Sequence, residues 1–277
     1  MEVAVVVTTY NRPDALAAVM DGYCEQTDQN FELIVADDGS TDETRELVES
    51  YRARASMPVS HVWQKDAGFR AGAVRNRAVA SSNAQYVIFT DGDCVPARGF
   101  VAAHKLLSCR GFFLAANRVL LSEACTRRVL AAKEPIHRWG WSDSLLGWAR
   151  RDVNRLLPLL ELPDGGWRTR NPQRWEGVKT CNLSVWREDL LRVNGFDESY
   201  EGWGLEDSDL VIRHLHAGVK HKSARFAAPV FHLWHAENDR TQLARNQQRL
   251  DELLRSGQTR ASLGLDQYLP MAAGDTV

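Results

Sequence analysis

Three acidic side chains lie within four residues of the stretch YEGWGLEDSDL, directly after a Gly-Trp-Gly turn: Glu206, Asp207 and Asp209. Acids at a helix N-terminus gain about 0.3–1 kcal/mol each from the exposed N–H groups and the helix dipole, which is one explanation for the cluster. That explanation leaves the tryptophan and the glycines without a role. A carboxylate can also accept a proton from a substrate hydroxyl, so the stretch predicts a helix start that could carry a catalytic base.

A second acidic pair, Asp91 and Asp93, follows the apolar run YVIFT. Two carboxylates spaced i, i+2 around a small glycine can present oxygens to a hard divalent cation that is bound to a diphosphate. By itself this pattern is weak, because an acidic turn at a strand end is more often simply solvated. The glycine-rich dinucleotide motif and the Walker phosphate loop are both absent from the sequence. A nucleotide would therefore need another kind of phosphate-binding site.

The elements that must position these acids alternate between short β-branched runs and longer helical patterns. Strands are predicted at 2–9, 31–37, 59–64, 84–91 and 111–121, and helices at 13–26, 40–54, 71–82 and 98–108. Strands separated by helices predict an α/β fold with a parallel sheet covered on both faces, in which ligands bind at the carboxyl ends of the strands. The polar clusters 8–11, 37–40 and 91–93 all fall at such ends.

Composition sets outer limits on the class of protein. The 277 residues, 44% of them hydrophobic, are enough for one large domain or two modest ones with a substantial core. The net charge of −2 hides an asymmetry, because residues 98–187 carry 16 Lys and Arg against 7 Asp and Glu. Five cysteines without CxxC spacing predict free thiols in a reducing compartment, which favours the cytoplasm. No apolar run approaches the roughly 20 residues of a membrane span, and we expect neither a span nor an export signal.

Six ordered segments resemble the successive motifs of inverting family 2 glycosyltransferases with a GT-A fold: VVVTTYNRP, LIVADDGSTDET, DAGFRAGAVRNRAV, YVIFTDGDC, NLSVWRED and GFDESYEGWGLEDSDL. The last segment is also similar to the C-terminal half shared by galactosyltransferases and polypeptide N-acetylgalactosaminyltransferases. The resemblance implies a Rossmann-like, mostly parallel nucleotide-binding sheet flanked by helices and fused to an acceptor-binding half.

The resemblance also suggests how the chain is divided. Residues 1–240 would form one catalytic domain, and residues 241–277 a C-terminal helix and tail. Within the domain, 1–119 would bind the nucleotide sugar, 120–180 would be a basic Trp-rich insertion, and 181–240 would hold the acceptor and the catalytic groups. We expect the C-terminal helix to pack on the catalytic domain or on a second subunit, and the chain beyond Gly257 to be poorly ordered.

The activity that the resemblance implies is transfer of a hexose or N-acetylhexosamine from a UDP-sugar to a hydroxyl of a glycan or glycolipid. Mn²⁺ or Mg²⁺ would hold the departing diphosphate while a carboxylate takes the acceptor proton. Bacterial surface polysaccharide, such as lipopolysaccharide core, is the favoured acceptor class, with peripheral attachment at the inner face of the membrane. No nucleic-acid partner is expected, because no RRM, KH or helix-turn-helix pattern is present.

For the donor, the resemblance places Thr8 and Tyr10 in the nucleoside pocket and Asp38 where the uracil imide N–H is accepted. Arg70 and Arg75 match positions where the family uses cations near the donor diphosphate or base. An ordinary solvated helix face would explain these two arginines almost as well.

For the metal, the resemblance gives Asp91 to the ribose and metal environment and Asp93 to direct ligation. The third protein ligand is expected to be His232, which ends the apolar run AAPVF. His235, three residues later, is the alternative ligand and could instead cap a helix or bind a phosphate.

For the acceptor, Asp207 matches the base position, and Glu206 would bind the acceptor or steady the loop. Trp203 would be the platform for the acceptor sugar, and Asn182 of NLSVWRED is also placed on the acceptor side.

The basic insertion holds five of the nine tryptophans within residues 125–179, and Trp167 and Trp175 are candidates to contact the acceptor. Trp and Arg together suit either an anionic carbohydrate or an anionic membrane surface. The alternative is a helical insertion whose tryptophans simply pack on the sheet.

Two other classes of function compete with a glycosyltransferase. A sugar nucleotidyltransferase could share the nucleotide-binding half and the paired aspartates, but it would not need the Trp-Gly-x-Glu-Asp segment. A non-catalytic carbohydrate-binding module could keep the tryptophan platform, but it would have no use for the aspartate pair, the Glu-Asp pair and a late histidine together. Donor hydrolysis with and without acceptor would separate these classes.

Overall fold

The chain folds around ten strands and nine α-helices in the computed structural model, which describes residues 1–236 and 239–270. The strands are β1 Val3–Thr9, β2 Glu32–Asp37, β3 Val59–Trp63, β4 Tyr86–Asp91, β5 Cys94–Pro96, β6 Phe112–Ala115, β7 Arg118–Leu120, β8 Leu183–Trp186, β9 Lys220–Ser223 and β10 Val230–His232. The helices are α1 Pro13–Cys24, α2 Asp42–Arg52, α3 Ala71–Ala80, α4 Phe100–Leu107, α5 Glu123–Ala132, α6 Trp141–Ala149, α7 Arg187–Val193, α8 Glu206–His216 and α9 Leu243–Ser256.

The larger sheet has seven strands in the order β3-β2-β1-β4-β8-β6-β9. It is mostly parallel, because only β8 runs antiparallel to its neighbours β4 and β6. Its central strands are apolar without alternation, as expected of a sheet covered on both faces. In β1, Val5 packs toward α1 and α2, whereas Ala4 and Val6 pack toward α3, α7 and α8. The predicted α/β architecture is confirmed.

A smaller sheet of three strands, in the order β5-β10-β7, lies beside the first. Its register sets His232 of β10 opposite Cys94 of β5 and Leu120 of β7. The acidic turn between β4 and β5 is therefore held next to the end of β10. This sheet is what brings the late histidine of the sequence to the aspartate pair.

The predicted single strand at 111–121 is wrong, because β6 and β7 belong to different sheets. Between them the backbone N–H of Ala116 donates to the Asn182 carbonyl, and the Asn117 carbonyl accepts from the Asn182 side chain. These bonds fix the link at Ala116 and Asn117, after which the chain leaves the large sheet and continues as β7 in the small sheet. The short strand β5 was not predicted, since three residues carry too little periodicity to be recognised.

The segment after α9 corrects a second expectation. Up to residue 270 the chain beyond Gly257 packs on the domain, with Ala261 and Leu265 buried. Asn194 holds it there, because its side chain donates to the Ala261 carbonyl and accepts from the Asp266 N–H. Residues 271–277 of the expected tail lie outside the described residues.

The second half of the chain completes the same large sheet as the first half, since β8 and β9 join strands β1 to β4. The division at residues 119, 180 and 240 stays a prediction. All five cysteines are free thiols, as expected. In the described part of the chain, each helix is too short or too polar to cross a bilayer.

Candidate active site

The predicted polar clusters meet at one edge of the large sheet. Strand β1 pairs with β2 and with β4, so that Thr9 lies opposite Asp37 and Thr8 lies opposite Asp91. Asp37 is structural, because it accepts from the Ser40 N–H at 2.8 Å and contacts His61 at 2.9 Å.

Arg75 of α3 lies at the centre of the site and is only 4% exposed. Its guanidinium donates to Thr8 Oγ1 at 2.9 Å, to Asp91 Oδ1 at 3.1 Å and to Glu206 Oε1 at 3.2 Å. One side chain thus joins β1, the acidic turn and the start of α8. The alternative of a solvated helix face does not apply to Arg75.

Burial and crowding of charge shape the ionisation of these groups. Burial raises the pKa of Asp91, Arg75 opposes this shift, and the nearby charge of Asp93 adds to it. Burial and the neighbouring Asp207 likewise raise the pKa of Glu206. Burial alone would lower the pKa of Arg75, but the surrounding carboxylates raise it above its usual range. Asp91 and Asp93 repel each other, as do Glu206 and Asp207, and a bound cation would reduce such repulsion.

The residues expected to bind a metal do come together. Asp93 Oδ1 lies 3.6 Å from His232 Nε2, and Asp93 Oδ2 lies 3.4 Å from His235 Nε2. Burial lowers the pKa of His232 to about 4, which leaves the neutral imidazole that metals require. His235 directs its Nδ1 at the Ala236 carbonyl, so its Nε2 faces Asp93. Ligand atoms of Asp93, Cys94 and His232 lie within 4.8 Å of one another, and a carboxylate with an imidazole is a donor set that fits a divalent cation. His235, through its contact with Asp93, remains the alternative ligand.

A cavity of about 500 Å³ lies beyond the end of β2 and is lined by four of the predicted site residues: Tyr10, Asp38, Arg70 and Trp203. Asp38 accepts from Gln64 Nε2 at 2.6 Å and from the Arg70 N–H at 2.7 Å, and burial raises its pKa. The sequence placed Trp203 with the acceptor, whereas the structure also puts it in the cavity expected for the nucleoside.

The turn before α8 explains why glycines flank the tryptophan. Gly202 and Gly204 have φ of +70° and +108°, a region that side chains with a Cβ rarely adopt. This conformation directs Glu206 and Asp207 inward at the first turn of α8, where both are buried. The acids do belong to a helix start, and a catalytic base among them, which stays a prediction, is compatible with that position.

The acids of α8 differ in their partners. Glu206 is paired with Arg75, and Asp209 forms a buried ion pair with Arg213, whose Nε lies 2.7 Å from Oδ1. Asp207 accepts from the Ser208 N–H at 2.8 Å, and Lys179 Nζ lies 3.5 Å from its Oδ2.

Sequence reasoning missed Lys179 and Gln64. Lys179 is one cation among many in the basic insertion, and Gln64 is an isolated amide at the end of β3. The signal that identifies each is a contact distant in sequence, with Asp207 for Lys179 and with Asp38 for Gln64. Neither pattern is visible along the chain.

Three predicted acceptor residues are not brought to this cavity. Asn182 is completely buried and bonds to His104 and to the carbonyls of Asn117 and Ala228, so the expectation that it contacts an acceptor is corrected to a structural role. Trp175 packs against both the sheet core and the small cluster under α9, as in the packing alternative. Trp167 is half-buried and stacks with Arg168 at 4.2 Å.

Comparison with protein families gives two matches along the chain. Residues 4–105 match the model of Glycosyl transferase family 2, and residues 168–236 match that of the N-terminal domain of galactosyltransferase. These segments contain the motifs on which the sequence resemblance was based, and the resemblance is confirmed.

Among curated proteins, validoxylamine A glucosyltransferase of Streptomyces hygroscopicus subsp. jinggangensis is 30% identical over 231 residues, which covers 77% of this chain and 51% of that protein. Chondroitin synthase of Escherichia coli is 25% identical over 81% of this chain and 34% of its own length. The chain thus spans about half the length of the first relative and a third of the second.

Two solved structures show the same fold. Staphylococcus aureus TarS 1–349 in complex with UDP has a TM-score of 0.59 at 16% identity, covering 97% of this chain and 68% of that one. The mannosyltransferase PcManGT of Pyrobaculum calidifontis, in complex with GDP-Man and Mn²⁺, has a TM-score of 0.62 at 18% identity, covering 92% and 64%. The predicted GT-A fold is confirmed.

Proposed function

We propose that this chain, a member of glycosyltransferase family 2 with the GT-A fold, moves a hexose or N-acetylhexosamine from a UDP-sugar to a hydroxyl of a glycan or glycolipid, with inversion at the anomeric carbon. The observation that carries the proposal is Arg75, which joins Asp91 of the acidic turn to Glu206 beside the proposed base. Donor-side and acceptor-side acids therefore border one site, as a direct displacement requires.

The choice of a nucleotide-sugar donor has support from the neighbours. TarS structures hold UDP and UDP-GlcNAc, and PcManGT holds GDP-Man with Mn²⁺. UDP is favoured here because Asp38 faces the cavity with Tyr10 and Trp203. Each carboxylate oxygen of Asp38 already accepts one hydrogen bond. A second lone pair on either oxygen remains to accept the uracil imide N–H.

A divalent ion, Mn²⁺ or Mg²⁺, belongs to this proposal. Asp93 with His232 or His235 would hold it, and Asp91 would contribute to its environment. When bound, such an ion supplies positive charge to the departing diphosphate. Arg75 supplies a fixed positive charge to the same edge of the site.

Asp207 is the proposed base. Glu206 is committed to the buried Arg75 at 3.2 Å, whereas the cation beside Asp207 is the half-exposed Lys179, whose Nζ lies 3.5 Å away. The acceptor oxygen bonds to the anomeric carbon as the bond from that carbon to the diphosphate oxygen breaks. The hydroxyl proton passes to Asp207, and the bonding electrons leave with UDP.

The finer assignments follow the same division of the chain. Residues 1–119 bind the donor, residues 181–240 hold the base, and the insertion 120–180 borders the acceptor. Bacterial surface polysaccharide, such as lipopolysaccharide core, is the proposed acceptor class. The five free thiols support a cytoplasmic location, with peripheral contact at the inner membrane face.

The test is UDP release from a panel of UDP-sugars, in Mn²⁺, with and without bacterial oligosaccharide acceptors. A glycosyltransferase releases UDP faster when its acceptor is present and forms a lengthened glycan. A nucleotidyltransferase would instead release pyrophosphate from UTP and a sugar 1-phosphate. A binding module would do neither, and either of these results would contradict the proposal.

A further inference from the structure

Helix α6 packs with small residues inward and large apolar residues outward. Ser144 and Gly147 are its buried positions, whereas Trp141, Leu145 and Trp148 are 51%, 54% and 53% exposed. These three side chains are spaced i, i+4 and i+7, so they form one stripe along the helix. A helix that covers a core shows the opposite arrangement.

Cations flank this stripe. Arg150, Arg151 and Arg155 follow α6 and are exposed, and within the described residues no carboxylate lies within 4.0 Å of their guanidinium groups. The two acids of the same segment bind other partners and do not pair with these three arginines. Asp143 accepts from the Gly140 N–H, and Asp152 pairs with Arg128. The surface therefore combines apolar side chains with unbalanced positive charge.

We infer that this α6 surface, formed by Trp141, Leu145, Trp148 and the three arginines, docks on an anionic lipid bilayer. Tryptophan favours the boundary between headgroups and acyl chains, and leucine can enter the acyl region. Arginines gain about 1 kcal/mol each near an anionic leaflet. A symmetric contact with a second copy would bring the same arginines toward each other, which is unfavourable.

Helix α6 lies near the small sheet that carries the proposed metal site. Trp148 borders a surface hollow together with Leu120 and Leu121, and Leu120 lies opposite His232 in the small sheet. Docking through α6 would bring the edge with the proposed metal site close to the bilayer. The acceptor is then a membrane-anchored glycolipid, and this part of the inference rests on the proposed function.

The experiment is co-sedimentation of the full chain with phosphatidylcholine vesicles, with and without phosphatidylglycerol. We expect binding to the anionic vesicles that weakens at high salt. The double substitution Leu145→Ser, Trp148→Ser should weaken it by about tenfold or more. Arg150→Gln and Arg151→Gln should each cost about fivefold.

Matched controls lie away from α6. Leu106→Ser removes an exposed leucine on α4, and Arg255→Gln an exposed arginine on α9; both variants should bind as wild type. Absence of wild-type binding, or unchanged binding of the double variant, overturns the inference. So does a concentration-dependent dimer in sedimentation velocity that the double variant abolishes while vesicles are not bound.

Calorimetry with UDP tests the proposed function separately from the α6 docking surface, because vesicle binding needs no nucleotide-sugar donor. Variants that lose vesicle binding should retain UDP affinity and thermal stability, because their side chains are exposed. A chain that binds vesicles through α6 but shows no UDP affinity would contradict the proposed function and leave the docking surface intact.

Discussion

Replacing Asp207 by asparagine tests the central residue of the proposed mechanism. Asparagine preserves the size of the side chain and can still accept the Ser208 N–H, but it cannot take a proton. Loss of a general base should lower kcat by roughly 10²–10⁴, which corresponds to about 2.7–5.5 kcal/mol. Lys179 is half-exposed and its Nζ lies 3.5 Å from Asp207, so loss of this contact should change the free energy of unfolding by less than about 1 kcal/mol.

Two neighbours on the same helix provide matched controls. Glu206→Gln should lower kcat less, and it should cost about 1–3 kcal/mol of stability because the buried charge of Arg75 loses a partner. Asp209→Asn should cost about 3 kcal/mol or more, because Arg213 is then buried without its carboxylate. Its kcat should stay near that of wild type. The three acids thus predict three different combinations of turnover and stability.

The assays are steady-state turnover with the best donor and acceptor, UDP calorimetry, and urea denaturation of each variant. UDP affinity should hardly change in Asp207→Asn. If Glu206→Gln abolished turnover while Asp207→Asn remained active, the base would be Glu206. If both variants kept the wild-type kcat, the acids would be structural and the mechanism would be refuted.

Three further predictions concern the site and the protein core. UDP affinity should be higher in Mn²⁺ than in EDTA, and Asp93→Ala should remove most of this difference in calorimetry; equal affinities would exclude the metal role. Trp203→Ala should weaken UDP binding because its ring lines the cavity with Asp38, whereas Trp175→Ala should lower the melting temperature with UDP affinity unchanged. Burial lowers the pKa of His104 to about 4, below its value of about 6.5 in the unfolded chain. The neutral, buried His104 therefore stabilises the fold fully above pH 6.5, and this stabilisation is lost as the pH falls toward 4. Urea denaturation between pH 6.5 and 4 should show the free energy of unfolding falling by up to about 1.4 kcal/mol per pH unit because of this histidine. The fall should be smaller in His104→Gln.

The sequence by itself determined strands β1 to β4, their order along the chain and the residues at their ends. Strand β1 is recognisable because a sheet buried on both faces needs an uninterrupted apolar run, and VAVVV is such a run. The acidic turn at Asp91 and the Gly-Trp-Gly turn are equally local, because each depends on neighbouring residue types. The same holds for the helix starts after Arg12 and Arg70.

Tertiary structure alone decided which of these residues meet. Arg75 and Glu206 lie 131 residues apart, and along the chain a solvated helix face explained Arg75 almost as well as a position near the donor. Their contact depends on α3 and α8 covering the same face of the sheet. Asn182 shows the converse, because its motif suggested a surface role and the packing of β6 and β8 buried it completely. Periodicity reports which face of an element is apolar, whereas the contacts of a polar side chain are set by the elements that pack beside it.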